Sequence, residues 1–382
     1  MSRHIKGPVK YMLWGRSGGR CQFRGCNKPL WKNPVTQEPV NIAQAAHIYA
    51  FSKDGPRGND GIEDEDLNTF ENLLLTCHAC HTTIDEEQAA GSRYPVELLQ
   101  KWKAEHEQRV ELVTGIDPSH QSHVVLYDRA IGGIHNPVCF DQAAKAMFPR
   151  RYPAAGMPIV LANSGSDSTE RDAEFWQTEL KDLDRKFRHK VADRLEAGEI
   201  KHLSVFAIAP MALLIRLGTL LTEIRDVDVY QLHRDPKGWI WPEDVEPISL
   251  QVERPSQTDG KPCLVFALSA TVDDSRIQQV LGEDASIWRV TLPFPNHECI
   301  RSKADLVAFR SAIRPLLNEI KAAHGHDAEL SIFPAAPVST MVELGRVRQP
   351  KADMNWVVYD ENRALGGYVE AIRIQETQEQ TI

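Results

Sequence analysis

Two textures of hydrophobic patterning divide the chain. Up to about residue 112 the apolar runs are short. Val40 to Phe51 opens with strand-forming residues and ends in a loop rich in Gly, Asp and Pro, Ser52 to Gly61. Phe70 to Thr76 reads as a short buried strand, and His81 to Gln88 begins a helix. Val96, Leu99, Trp102, His106 and Val110 recur at helical spacing and predict an amphipathic helix over 95–113. Residues 114–122 are polar, broken by Gly and Pro, and read as a linker. From 123 onward, apolar strands alternate with amphipathic helices. Met157 to Ala162 is a buried-type strand, and Asp167 with Glu170 predicts a capping box for a helix running to about Ala197. Its stripe, Trp176, Leu180, Leu183, Phe187, Val191 and Leu195, suits core packing.

The second region repeats itself. His202 to Gly218 can be laid on Glu329 to Gly345: each reads as a strand, an Ala-Pro turn and a helix ending at Leu-Gly. A further strand follows each copy, Val227 to Leu232 and Asn355 to Asp360. A strand ending in small polar residues precedes each, Leu161 to Gly165 and Phe266 to Thr271. The predicted class is therefore multi-domain α/β: a small domain over 1–113, the linker 114–122, and 123–382 as two copies of one unit, about 123–245 and 246–382. In parallel-sheet units ligands sit beyond the carboxyl ends of the strands, so two units side by side make one pseudo-symmetric pocket for an anion.

Composition changes this picture little. With 382 residues, 42% hydrophobic and 25% charged, the chain reads as a soluble multi-domain protein. No apolar run is long enough to span a bilayer and the opening residues lack a signal-peptide core, so a cytoplasmic protein with no membrane partner is expected. The net charge of −9 argues against bulk coating of nucleic acid. Between residues 1 and 37, however, eight Lys or Arg and no acidic residue make a local basic surface able to meet phosphates. Four of the seven cysteines form two short-spaced pairs, Cys21 with Cys26 and Cys77 with Cys80. In a reducing compartment that arrangement points to a structural four-thiolate Zn2+ site, which a small domain with a thin core needs as a staple. Cys139, Cys263 and Cys299 are expected simply to pack.

The run Asn72 to Asp85 carries the specific chemistry. His81 and Asp85 are four apart, so on a helix they share a face and can hold one cation between them. His47, where a strand meets a loop, suits a general base. The set His47, Asn72, His81 and Asp85, spaced nine and then four over its last three members, resembles the HNH (ββα-metal) nuclease motif, and the cysteine pairs resemble its zinc knuckle. The resemblance implies that His47 deprotonates the attacking water and Asn72 orients His47. It makes His81 and Asp85 the holders of Mg2+ or a similar divalent cation. Many members carry Asp or His just before the base; here that position is Ala46, which leaves His78 or a carboxylate of the 60–66 loop as other ligand candidates.

The repeat resembles the SAVED domain, two fused CARF-like, Rossmann-type subdomains that bind cyclic oligonucleotides. The pairing resembles the HNH–SAVED effector nucleases of bacterial CBASS anti-phage signalling, associated with CD-NTases. That resemblance implies a cyclic di- or trinucleotide activator (cGAMP-like) and a homo-oligomer, a dimer assembling to a tetramer or higher. It also implies degradation of double-stranded DNA with little sequence preference, ending in abortive infection. Expected ligand contacts are Ser164, Gly165, Pro210, Met211, Thr271, Ala335 and Pro337, with Trp239 and Trp241 stacking on a base. Two other readings fit the sequence: an ungated HNH restriction-type enzyme with a C-terminal recognition domain, and a DNA-binding regulator whose nuclease site has decayed.

Overall fold

The first of two units, Met1–Asp117, is built on a two-stranded sheet with a core on each face. Helix α1 (Gly7–Arg16) carries Pro8 in its first turn, where a fixed backbone and a missing N–H cost nothing. Strand β1 (Ala43–His47) runs antiparallel to β2 (Leu73–Cys77), with His47 opposite Leu73 and Ala46 opposite Leu74. Helix α2 (His78–Asp85) follows β2 directly, and α3 (Val96–Thr114) closes the unit. Side chains alternate across a strand. Leu73, Leu75 and Cys77 therefore pack on Leu13 and Leu30 on one face, while Leu74 and Ala46 pack on Ile84, Val96 and Leu99 on the other. Both faces are buried, which is why β2 reads as a continuous apolar run. The computed structural model describes residues 4–53, 55–59, 61–63, 67–86, 93–162, 169–172, 174–242, 247–362 and 366–375.

The second unit, Pro118–Ile382, holds two sheets. Strand β3 (Gln121–Asp128) takes up the last two residues of the stretch read as linker. After α4 (Phe140–Met147) come the short strands β4 (Tyr152–Pro153) and β5 (Ile159–Val160), both parallel to β3. Helix α5 (Phe175–Phe187) continues through a π-turn to Glu196. Strand β6 (Leu203–Ile208), helix α6 (Met211–Leu221) and strand β7 (Val227–Tyr230) complete a parallel sheet in the order β4-β3-β6-β7. A small hairpin, β8 (His233–Arg234) with β9 (Lys237–Gly238), leads out.

The second sheet has the order β10-β12-β11-β13-β14-β15. Its strands are β10 (Gln251–Glu253), β11 (Pro262–Ala267), β12 (Ser286–Thr291), β13 (Glu329–Ala335), β14 (Asn355–Asn362) and β15 (Gly367–Ile374). The four central strands are parallel and the two edges antiparallel. Helix α7 (Asp274–Leu281) follows β11, α8 (Lys303–His324) follows β12, and α9 (Val338–Val347) follows β13. Alternate residues of each sheet point to a shared central core: Val125 and Tyr127 from the first sheet, Leu264 and Phe266 from the second. Val124 and Leu126 pack outward on α4, and Cys263 and Val265 pack outward on α7. Among the described residues, no helix is long and apolar enough to cross a membrane.

The repeat is carried into side-chain geometry. Leu203 pairs with Val227 as Leu330 pairs with Trp356. Phe206 stacks on Tyr230 at 4.3 Å, and Phe333 on Tyr359 at 4.6 Å. An edge-on ring completes each set, Trp239 at 5.2 Å from Phe206 and Tyr368 at 5.1 Å from Phe333. The copies meet where α6 crosses α9, at the two Leu-Gly pairs. A Cβ on Gly218 would lie 2.1 Å from the Val342 carbonyl oxygen, and one on Gly345 would lie 2.0 Å from that of Ile215. All of α6 after Met211 and all of α9 after Val338 are buried. Arg216 is held by a bidentate bond to Asp184, at 2.8 and 2.9 Å.

Three expectations change. The strand equivalent to β11 is β3, since each lies beside the strand that precedes a central helix; the stretch 157–162 supplies only β5. The long helix starts at Phe175, and the Glu170 carboxylate accepts instead from the Gly132 backbone N–H at 3.0 Å; Asp167 lies outside the described residues. Its stripe packs inward as expected, with Leu180 and Leu195 half-buried. Cys139 is exposed, whereas Cys263 and Cys299 are buried.

Two outcomes follow for stability. Gly218→Ala and Gly345→Ala should each cost at least about 2 kcal/mol in denaturant melts, because backbone must move to admit the methyl group. Gly15→Ala, in α1 with nothing within 4 Å, should be neutral or gain up to about 1 kcal/mol from helix propensity. His202 donates to or accepts from Ser122 Oγ at 2.7 Å, and burial, then the Arg151 charge, pushes its pKa from 6.5 down to about 4. The unfolded chain therefore binds the proton more readily between those values. His202 contributes fully above pH 6.5, and up to about 3 kcal/mol is lost as pH falls to 4. A pH series of melts should show a flatter acid limb for His202→Asn; an unchanged limb would count against this assignment.

Candidate functional site

Two clusters in the first unit grow from the β1-β2-α2 arrangement. Cys77 ends β2 and precedes α2, which carries Cys80 in its first turn. Cys21 and Cys26 bracket a tight loop closed by the Cys26 N–H on the Phe23 carbonyl at 3.0 Å. The four Sγ atoms lie within 4.8 Å of one another, with Cys26 and Cys77 3.9 Å apart. A tetrahedral zinc with Zn–S bonds of about 2.3 Å has sulfur–sulfur edges of about 3.8 Å, so the cluster can hold such an ion. Burial pushes the Cys21 thiol up to about 12 and raises Cys80 further. At Cys77 burial also acts upward, but hydrogen bonds from the Cys80 backbone and the neighbouring thiols together lower it.

The second cluster brings together His47, Asn72, His81 and Asp85. His47 closes β1, with Nε2 3.1 Å from Asn68 Oδ1. Buried Asn72 accepts from the Tyr49 N–H at 2.7 Å and donates to the Tyr49 and Leu67 carbonyls at 3.1 and 2.9 Å. It thus fixes the chain two residues past His47 and does not touch the imidazole itself. On α2, His81 Nδ1 is 3.7 Å from Asp85 Oδ2. Two ligand bonds of about 2.1 Å each can span that gap, so one divalent cation could touch both side chains. Ala46 points into the core and is fully buried. His78 is exposed, with Nδ1 3.0 Å from the Gln44 side-chain amide nitrogen. Of the 60–66 loop, Asp60 and residues 64–66 lie outside the described residues.

Arg57 was not singled out by the sequence. Its side chain is 2% exposed and its guanidinium reaches Asp85 Oδ1 at 2.9 Å. A basic residue in a Gly- and Asp-rich loop, one of two there with Lys53, was the signal available.

In the second unit the expected ligand residues are scattered in character. Pro210 and Pro337 are buried and start α6 and α9 at the carboxyl ends of β6 and β13. Met211 and Ala335 beside them are half-buried, and Thr271 is exposed. Ser164 and Gly165 lie outside the described residues. Trp239 is a correction: at 2% exposure, edge-on to Phe206, it is a core ring and no stacking platform. Trp241 is half-buried between Tyr230 and His233. The start of α9 is occupied from within the chain, since Gln231 Oε1 accepts from the Ser339 N–H at 3.2 Å and its hydroxyl at 2.6 Å. At the end of β3, Arg129 meets Glu179 at 2.7 Å, both buried. Burial raises Glu179, and the Arg129 charge opposes that rise.

Residues 183–374 match the family described as the SMODS-associated and fused to various effectors (SAVED) sensor domain. No curated protein matches the chain. Solved structures similar to it include the Acinetobacter baumannii Cap4 SAVED/CARF-domain receptor with the cyclic trinucleotide 2'3'3'-cAAA, at 14% identity and a TM-score of 0.43 over 73% of this chain and 56% of that one. The same receptor with 3'3'3'-cAAA is 12% identical, with a TM-score of 0.43 over 73% and 60%. The Moraxella osloensis Cap4 receptor is 10% identical, with a TM-score of 0.39 over 83% and 71%. The chain thus spans less than two thirds of the first two. The family match begins in α5 and runs to the end of β15, taking in both central helices and the whole second sheet. The chain belongs to the SAVED family of sensor domains.

Proposed function

We propose that the chain is a cyclic-oligonucleotide-gated, metal-dependent endonuclease of bacterial CBASS defence that degrades double-stranded DNA with little sequence preference. One observation carries the cutting half: a strand-strand-helix unit sets His47 at the end of β1 and His81 with Asp85 on one face of α2, while Asn72 pins the connecting loop. His47 accepts a proton from the attacking water near neutral pH. Asn72 keeps the loop, and through it His47, in register. His81 and Asp85 would hold the divalent cation, which when bound offsets charge on the scissile phosphate and the leaving oxygen. The basic surface of residues 1–37 would meet the DNA backbone.

Membership of a sensor family and the doubled α/β unit support the gating half. A cyclic di- or trinucleotide would bind across the carboxyl ends of the strands and favour an assembled homo-oligomer. A shift from 1:99 to 99:1 requires about 10⁴-fold tighter binding to the active state. The buried Ala46 favours one other reading, a DNA-binding regulator without cutting activity, because the position before the base gives the cation nothing.

Plasmid DNA with Mg2+ and a panel of cyclic di- and trinucleotides separates these readings. Cutting is expected only with one panel member, and His47→Ala should lower it by at least about a hundredfold without changing circular dichroism. Cutting with no ligand points to an ungated enzyme, and no cutting with any member points to the regulator. For the cysteine cluster, purified protein should carry about one zinc per chain. Cys80→Ser should lose the metal and lower the melting temperature of the first unit. A metal-free, equally stable wild type would remove the staple.

A further inference from the structure

We propose that Arg57 is a positioning residue that also sets the charge a cation meets at His81 and Asp85, so that cation and DNA bind as mutually dependent partners. This rests on the reading of those two residues as a cation site. Arg57 lies in the loop after β1, yet its guanidinium reaches both the end of β1 and the last turn of α2. Nε donates to the Ile48 carbonyl at 2.6 Å, Nη1 to the Ile84 carbonyl at 2.8 Å, and Nη2 to both the His47 carbonyl at 2.8 Å and Asp85 Oδ1 at 2.9 Å. Ile84 is in the last turn of α2, where carbonyls lack helical partners, so the guanidinium also caps that helix. A single nitrogen, Nη2, joins the backbone of the base to the carboxylate of the cation ligand.

The charge argument follows from burial. A guanidinium stays protonated, and one that is 2% exposed needs a counter-charge. Asp85 supplies it through Oδ1, which leaves Oδ2 and the His81 imidazole for a cation. Ala46 adds no ligand. The protein therefore presents one imidazole and one carboxylate already balanced by a fixed positive charge. Such a site holds a divalent cation weakly on its own. The remaining coordination and the missing negative charge come from water and from a phosphate of the substrate, and the coupling is reciprocal: DNA strengthens cation binding as the cation strengthens DNA binding.

The test is Mn2+ binding, followed by the loss of the free-ion electron paramagnetic resonance signal. It uses the zinc-loaded full chain without DNA, as wild type, Arg57→Gln, Arg57→Lys and His81→Ala. Loss of the fixed charge in Arg57→Gln should tighten Mn2+ binding on the order of tenfold. Unchanged or weaker binding in a folded Arg57→Gln protein overturns the proposal. Arg57→Lys keeps the charge but not the fork, so its affinity should stay within about threefold of wild type while its melting temperature falls. If Arg57→Gln does not fold, the lysine variant decides: affinity that falls in step with stability assigns Arg57 a structural role alone. His81→Ala should weaken Mn2+ at least about tenfold. If it binds as wild type does, the cation site itself is misplaced, which separates that failure from a failure of the Arg57 proposal.

Discussion

The second unit depends on two backbones coming closer than side chains permit. Gly218 and Gly345 lie Cα against Cβ-space at the crossing of α6 and α9, each within reach of a carbonyl of the facing helix. Close approach lets two wholly buried helices share one layer between two sheets, so that a single central core serves both copies. The remaining arrangement follows from that spacing. Buried ions near the crossing are held by close partners: Arg216 by Asp184 on α5, and Glu343 by Arg346 on its own helix and by Arg310 on α8. Arg346 also reaches the carbonyls of Thr222 and Arg225 beyond the end of α6.

The first unit answers a different shortage. Its sheet has only two strands and each of its two cores is small. Cross-linking through Cys21, Cys26, Cys77 and Cys80 would fix the end of β2 and the start of α2, and hence the angle at which His81 and Asp85 are presented. Arg57 works at the other end of the same helix. Structural and chemical duties are thus interleaved along fourteen residues, with the cysteines facing the knuckle and the imidazole and carboxylate facing the loop after β1.

Residues whose placement is set by spacing were legible in the sequence. Two cysteine pairs come together within 4.8 Å, a histidine and aspartate four apart share a helix face, and a repeated Leu-Gly marks the helix crossing. What failed depended on the fold. Trp239 looks exposed in Lys237 to Pro242, but the hairpin turns it onto Phe206. Asp167 and Glu170 have the spacing of a cap, yet Glu170 is drawn to Gly132 by a loop the pattern does not reveal. Strand β3 was overlooked because its start is polar and adjoins a Gly- and Pro-broken stretch. Arg57 matters only because its loop folds back over the end of α2.

The contact between α6 and α9 is reciprocal: Gly218 approaches Val342 as Gly345 approaches Ile215. That is the form of an isologous interface, the kind that joins two identical subunits about a two-fold axis, here closed within one polypeptide. Neither copy is self-sufficient, since a lone first copy would leave the face of α6 that holds Gly218 and Ile215 without its cover. Fusion has the opposite benefit of letting the copies diverge while the contact persists. Gln231, just past β7, reaches across to Ser339 on α9, whereas the aligned position, next to the stacked Tyr359 within β14, is Asp360. An obligate pair of identical chains would have to keep both positions the same; a fused pair can give its two sides different chemistry.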